Sequence, residues 1–153
     1  PLGGAVYVYS SKFKVLSCAF RNNTVSSSSS TVAGGAIYVY NPPVGSIILV
    51  ADSTFERNRA VSDEFSYHPA YGGAIGLTGS DSYTDYTSSC TLVIQRCAFN
   101  LNEAFSTADI YGGALGFYQS YGVAFDFALN VSDSSFSENR IRGSEYSDSS
   151  YLG

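Results

Sequence analysis

The stretch Gly34-Gly35-Ala36-Ile37-Tyr38-Val39-Tyr40, followed by Ser53-Thr54-Phe55-Glu56-Arg57-Asn58, decides the fold because both of its halves recur. The first half returns as Gly3-Gly4-Ala5-Val6, Gly72-Gly73-Ala74-Ile75 and Gly112-Gly113-Ala114-Leu115. The second returns as Phe20-x-x-Asn23, Phe99-x-x-Asn102 and Phe136-x-x-Asn139. The two motifs alternate strictly. The leading glycines stand at 3, 34, 72 and 112, so the periods are 31, 38 and 40 residues. Such periods mark a stacked repeat, in which each unit buries its apolar face only against its neighbours.

Aligned on the phenylalanine, the repeats form columns. Seven residues before it stand Phe13, Ile48, Leu92 and Leu129; five before it stand Val15, Val50, Ile94 and Val131. Two apolar columns two residues apart describe the inward face of a strand. After the glycines, Val6/Val8, Ile37/Val39, Ile75/Leu77 and Leu115/Phe117 alternate in the same way. Each repeat therefore holds at least two strands with corners between them. Like strands stacked on like make a right-handed parallel β-helix, since parallel crossovers are right-handed in nearly all cases. The predicted coils are 3–33, 34–71, 72–111 and 112–152, one all-β segment. Stacked in register, Asn23, Asn58, Asn102 and Asn139 are expected to bond amide to amide up the axis, beside a ladder of Phe20, Phe55, Phe99 and Phe136. Leu152-Gly153 repeats the phase of Leu2-Gly3, so the chain is expected to be a piece of a longer array or a subunit that stacks end to end.

Gly-Gly-Ala-[Ile/Leu/Val] alternating with Phe-x-x-Asn resembles the repeat pair of the chlamydial polymorphic outer-membrane proteins and of similar secreted β-helix proteins. The resemblance spans essentially the whole chain, with four copies of each motif. It implies an extracellular, adhesin-like passenger segment at the cell surface.

Composition narrows the function further. Charged residues are 14% of the chain, well under the usual ~25%. The net charge is −5 and no basic cluster exists, which excludes nucleic acid as a partner, because phosphate binding needs grouped Lys and Arg. No apolar run approaches the ~18 residues of a helical membrane span, and any targeting segment is expected to lie outside this stretch. Of the three cysteines, Cys18 and Cys97 share a column two coils apart, about 9.6 Å by strand spacing and beyond the ~7 Å Cα limit of a disulfide. They read as small buried thiols alternating with Ser53 and Ser134; the other reading pairs one of them, or Cys90, outside the chain.

Candidate chemistry is sparse. His68 stands alone in a loop and reads as solvated, and Asp81 and Asp85 lack the acidic density of a calcium loop. No metal or cofactor is expected. Asn22-Asn23-Thr24 and Asn130-Val131-Ser132 are glycosylation sequons, with Asn22 at a turn and Asn130 facing out. Three before the phenylalanine stand Ser17, Asp52, Arg96 and Asp133, a row of the kind that lines the active face of polysaccharide-cleaving β-helices. A second row, Thr24, Arg59, Glu103 and Arg140, alternates in sign as well, and Arg21 stacks toward Glu56. Alternation is what in-register stacking demands of any charged column, so both rows read as structural. The better lead is an outward tyrosine row, Tyr7 and Tyr38 beside Tyr9, Tyr40 and Tyr118, either an interface or a structural ladder. Gly76 and Gly116 interrupt it and are expected to leave room for the insertions of coils three and four to fold across. The expected function is a non-catalytic, extracellular structural or adhesive segment. Its expected partners are further β-helix coils, itself, or a host-surface or carbohydrate ligand. The alternatives are a filament subunit and a carbohydrate-active enzyme.

Overall fold

The computed structural model describes residues 2–63, 68–79, 88–118 and 125–143. Every described element is a strand. Coil one holds β1 (Val6–Tyr9), β2 (Lys14–Leu16), β3 (Ala19–Arg21), β4 (Thr24–Ser27) and β5 (Val32–Ala33). Coil two holds β6 (Ile37–Tyr40), β7 (Ser46–Ala51), β8 (Thr54–Glu56), β9 (Arg59–Ser62) and β10 (Ala70–Tyr71). Coil three holds β11 (Ile75–Thr78), β12 (Ser88–Gln95), β13 (Ala98–Asn100), β14 (Glu103–Ser106) and β15 (Ile110–Tyr111). Coil four holds β16 (Leu115–Tyr118), β17 (Phe125–Ser132), β18 (Ser135–Ser137) and β19 (Arg140–Gly143).

Each strand pairs in parallel with its equivalent one coil away, which makes five narrow sheets: β1-β6-β11-β16, β2-β7-β12-β17, β3-β8-β13-β18, β4-β9-β14-β19 and β5-β10-β15. The chain is a parallel β-helix. The registers are those of the repeat columns: Val15, Val50, Ile94 and Val131 stack in line, as do Phe20, Phe55, Phe99 and Phe136.

Two sets of corners hold the coil to its shape. Ser17, Asp52, Arg96 and Asp133 all sit in the left-handed region, with φ between 49° and 52°. So do Asn22, Arg57, Leu101 and Glu138, with φ between 52° and 56°. Such a conformation costs an L residue roughly 1–2 kcal/mol. It keeps the N–H aligned with the stack: Asp52 N donates to Gln95 O at 3.0 Å and Arg57 N to Asn100 O at 3.0 Å. The corner residues thus keep their backbone donors in the ladder between coils.

The bore is filled by Val15, Ile37, Val39, Ile48, Val50, Phe55, Ile75, Leu77, Leu92, Ile94 and Phe99, all buried. A second cluster, Val25, Val32, Ala60, Ala70, Ala104 and Ile110, lies between the fourth and fifth sheets. Burial falls off in coil four. Phe55 and Phe99 are wholly covered, while Phe136 is 45% exposed, because no further described coil lies over it.

Candidate functional site

Tyrosines reach the outer surface from two directions. On β6, Tyr38 and Tyr40 alternate with the inward Ile37 and Val39, and both stack on coil one: Tyr7 on Tyr38 and Tyr9 on Tyr40, each with ring centroids 5.7 Å apart. The second source is the corner before each glycine pair, where Ala33, Tyr71 and Tyr111 stand in register. Tyr71 lies on Tyr118 at 4.7 Å and against Tyr111 at 5.3 Å. Bulk therefore passes from sheet to corner along the stack. The sheet tyrosine Tyr38 packs with the corner residues Ala33 and Tyr71, whereas the sheet glycine Gly116 lies against the corner backbone at Tyr71.

At Gly76 and Gly116, where the sequence suggested room for the insertions, the position of a side chain is already occupied. A Cβ on Gly116 would overlap the backbone of Tyr71 and Gly72, and one on Gly76 would overlap Gly34 and meet the Ala33 side chain. The corner of the preceding coil fills the space, so only glycine fits. The insertions themselves, with Asp81, Asp85 and Tyr121, lie outside the described residues, as do Leu152 and Gly153.

The tyrosines enclose an open groove of about 550 Å³. Tyr7, Tyr38, Tyr40, Tyr71 and Tyr118 supply its ring faces, and Thr78 also lines it. Residues 29–31, two serines and a threonine, with Leu2, His68 and Pro69 make the rest of the described lining. This corrects two expectations. Tyr38 is not part of an exposed row: packing against Tyr71 and Ala33 leaves it only 4% exposed. His68 is half-buried beside the groove rather than solvated, its carbonyl accepting from the Ser106 hydroxyl at 2.8 Å. Tyr7 and Tyr9 remain open, at 49% and 59%; Tyr9 stands outside the groove, on Tyr40. Burial, reinforced by Tyr118 and Tyr111, pushes the Tyr71 phenol well above its usual range against a hydrogen bond from Thr31, so it stays neutral. Thr78 is buried, and its hydroxyl has no hydrogen-bond partner among the described residues. Tyr71 and Tyr111 went unsingled in the sequence, although they form a column with Leu2 and Ala33 directly before the glycines.

The asparagines are brought together as a continuous ladder. Asn23 Nδ2 donates to Asn58 Oδ1 at 2.9 Å, Asn58 Nδ2 to Asn102 Oδ1 at 2.9 Å, and Asn102 Nδ2 to Asn139 Oδ1 at 2.8 Å. The second amide hydrogens go to the carbonyls of Phe20, Phe55 and Phe99. Beside this ladder the phenylalanine rings stack at 5.0, 4.7 and 4.7 Å, within 7° of parallel. These spacings are the strand separation itself. Both ladders are scaffold.

The charged rows close on themselves. Arg96 donates to both carboxylate oxygens of Asp52, at 2.6 and 2.8 Å, and that hydrogen bonding holds the Asp52 carboxyl below its usual range. Both residues occupy the left-handed corner column. Arg59 donates to Glu103 at 2.9 Å, and the second arginine at Glu103 is Arg142, at 3.7 Å, rather than the predicted Arg140. Arg142 lies two residues along the same strand face, within diagonal reach of the carboxylate. Arg21 meets Glu56 at 3.5 Å.

Cys18, Cys90 and Cys97 are all free thiols. Cys97 is buried as expected. Cys18 is exposed, contrary to expectation, because coil one is the end of the described stack. Burial pushes the Cys90 thiol up to about 11. Asn22 and Asn130 both face solvent.

The motif pair that builds this scaffold can be matched outside the chain. Residues 17–40 match the Chlamydia polymorphic membrane protein (Chlamydia_PMP) repeat. That segment holds one copy of each motif, Phe20-x-x-Asn23 and Gly34-Gly35-Ala36-Ile37, and so includes one rung of the asparagine ladder and one glycine corner. No curated protein and no solved structure matches the chain. The matched segment also carries part of the groove lining, residues 29–31 with Tyr38 and Tyr40.

Proposed function

We propose that this chain is a surface-exposed, passenger-type β-helix segment with an adhesive role, and that it binds its target through the tyrosine groove. The matched repeat supports the surface location, since the repeat type is that of membrane proteins of polymorphic kind. The groove carries the adhesive reading. Five tyrosines converge on it from two coil faces, and Tyr7 keeps half its surface open to a partner. Tyrosine supplies contact area and a polar tip at small cost in side-chain entropy, which suits recognition. The segment acts without catalysis on this reading, and the charged residues serve the stack.

Adhesion of protein-coated beads to cultured cells tests the proposal. The parent segment is expected to hold beads on cells, and Tyr7→Ala combined with Tyr40→Ala to release most of them with little change in thermal melting. Equal adhesion by parent and variant would overturn the groove as the binding face. Cleavage of an acidic polysaccharide by the parent would overturn the non-catalytic reading.

A further inference from the structure

The groove has a chemistry that selects among ligands. Among the described residues its lining contains no Asp, Glu, Lys or Arg, so a charged group entering there would lose water without gaining a counter-charge from them. Its ring faces are near parallel, Tyr7 to Tyr38 within 16° and Tyr71 to Tyr118 within 18°. Its remaining described walls are the hydroxyls of residues 29–31 and Thr78, the His68 imidazole, and the apolar Leu2 and Pro69. The volume, about 550 Å³, falls within the ~300–1,000 Å³ of sites that hold a ligand of a few rings. Flat apolar platforms beside many neutral donors and acceptors match one class of molecule, a sugar, which has an apolar ring face and a rim of hydroxyls.

Resting on the reading of this groove as the binding face, we propose that its ligand is a neutral oligosaccharide, one ring stacked on Tyr7 and its hydroxyls bonded by Thr78, His68 and the serine–threonine wall. Thr78 is the sharpest element. Its buried hydroxyl is unpartnered among the described residues, and the residue lines the groove. An unpaired buried hydroxyl costs stability, and a ligand hydroxyl bonded to it would relieve that cost.

Residues 1–153 are titrated with neutral oligosaccharides (glucose-, galactose- and N-acetylhexosamine-based), an acidic glycosaminoglycan and a proline-rich peptide, followed by calorimetry and tyrosine fluorescence. A neutral oligosaccharide is expected to bind and quench. Tyr7→Ala should weaken it about tenfold, the upper range for one aromatic stack. Thr78→Val should weaken it several-fold while leaving the melting temperature unchanged or raised, a combination that a purely structural threonine does not give. Binding of the peptide or the acidic glycan alone would overturn the assignment, as would saccharide binding indifferent to both variants. If no neutral saccharide binds but the Tyr7 and Tyr40 variants still lose cell adhesion, the groove stands as the adhesive face and the saccharide falls. If a saccharide binds while adhesion ignores the variants, the adhesive reading falls and the ligand class stands.

Discussion

Asn58 shows how one residue type comes to be repeated in every coil. Its Oδ1 accepts from both the backbone N and the Nδ2 of Asn23, and its Nδ2 donates to Phe20 O and Asn102 Oδ1. Leucine in its place would leave those partners unpaired inside the protein. With each orphaned group costing about 1–3 kcal/mol, Asn58→Leu is expected to lose at least about 3 kcal/mol. Urea denaturation would show this as a lowered midpoint, and equal midpoints would mean that water replaces the ladder. Leu101 shows the opposite case. It holds a φ of 56° in the column where coil one has Asn22. Asparagine tolerates that region and leucine does not. Leu101→Asn is therefore expected to stabilise by roughly 0.5–1 kcal/mol; a variant that melts earlier would show that Leu101 contributes more by packing than it loses in strain.

Across a whole sheet edge, charge follows the stacking rule. Asp52 and Arg96 face each other directly, and Asp133 acts on Arg96 from the next coil. Arg96→Glu would set three acids in line and destabilise, and added salt would recover part of the loss, since the pair is exposed and screened within about 10 Å at 0.1 M. The sign of the pH dependence follows from Asp52, whose folded carboxyl titrates below its unfolded value because Arg96 hydrogen bonds it. The pair's contribution is therefore full above the ordinary carboxylate range and is lost as pH falls through the lowered folded value. Arg96→Gln should flatten that part of the acid profile. An acid-melting curve unchanged in the glutamine variant would show that the pair adds nothing to stability.

The asparagine ladder gives the whole molecule a direction. Donation runs from coil one to coil four, so Asn23 Oδ1 accepts nothing among the described residues and Asn139 keeps one amide hydrogen free of the ladder. The coil-four face also bares Leu129, Val131 and Phe136, each 42–45% exposed. Coil one of a second copy carries the matching columns. The isolated segment 1–153 is expected to associate head to tail, a heterologous contact that propagates as a polar filament. Light scattering against concentration and electron microscopy test this, with Val131→Lys expected to restore the monomer. A parent that stays monomeric at millimolar concentration would sink the expectation.

The stack was legible in the sequence because in-register pairing places like on like. The columns of Val15, Phe20 and Asn23 reappear as the observed registers, and a strand-length or loop-length change between coils does not disturb them. The left-handed corners were not legible. Asp52, Arg57, Arg96 and Leu101 have no shared side-chain chemistry, and what the position requires is a direction for the N–H. The groove was legible only in part. Tyr7, Tyr38, Tyr40 and Tyr118 announce themselves by alternation with the bore residues. Their covering by Tyr71, and the burial of Tyr38 that follows, depends on how closely one coil's corner approaches the outer face of the next. That distance is set by backbone packing against Gly76 and Gly116, between residues in different columns. The sequence by itself determined which residues stack and which face inward, since periodicity alone carries that. Only the tertiary structure decided which outward residues meet, because contacts across a corner leave no period in the chain.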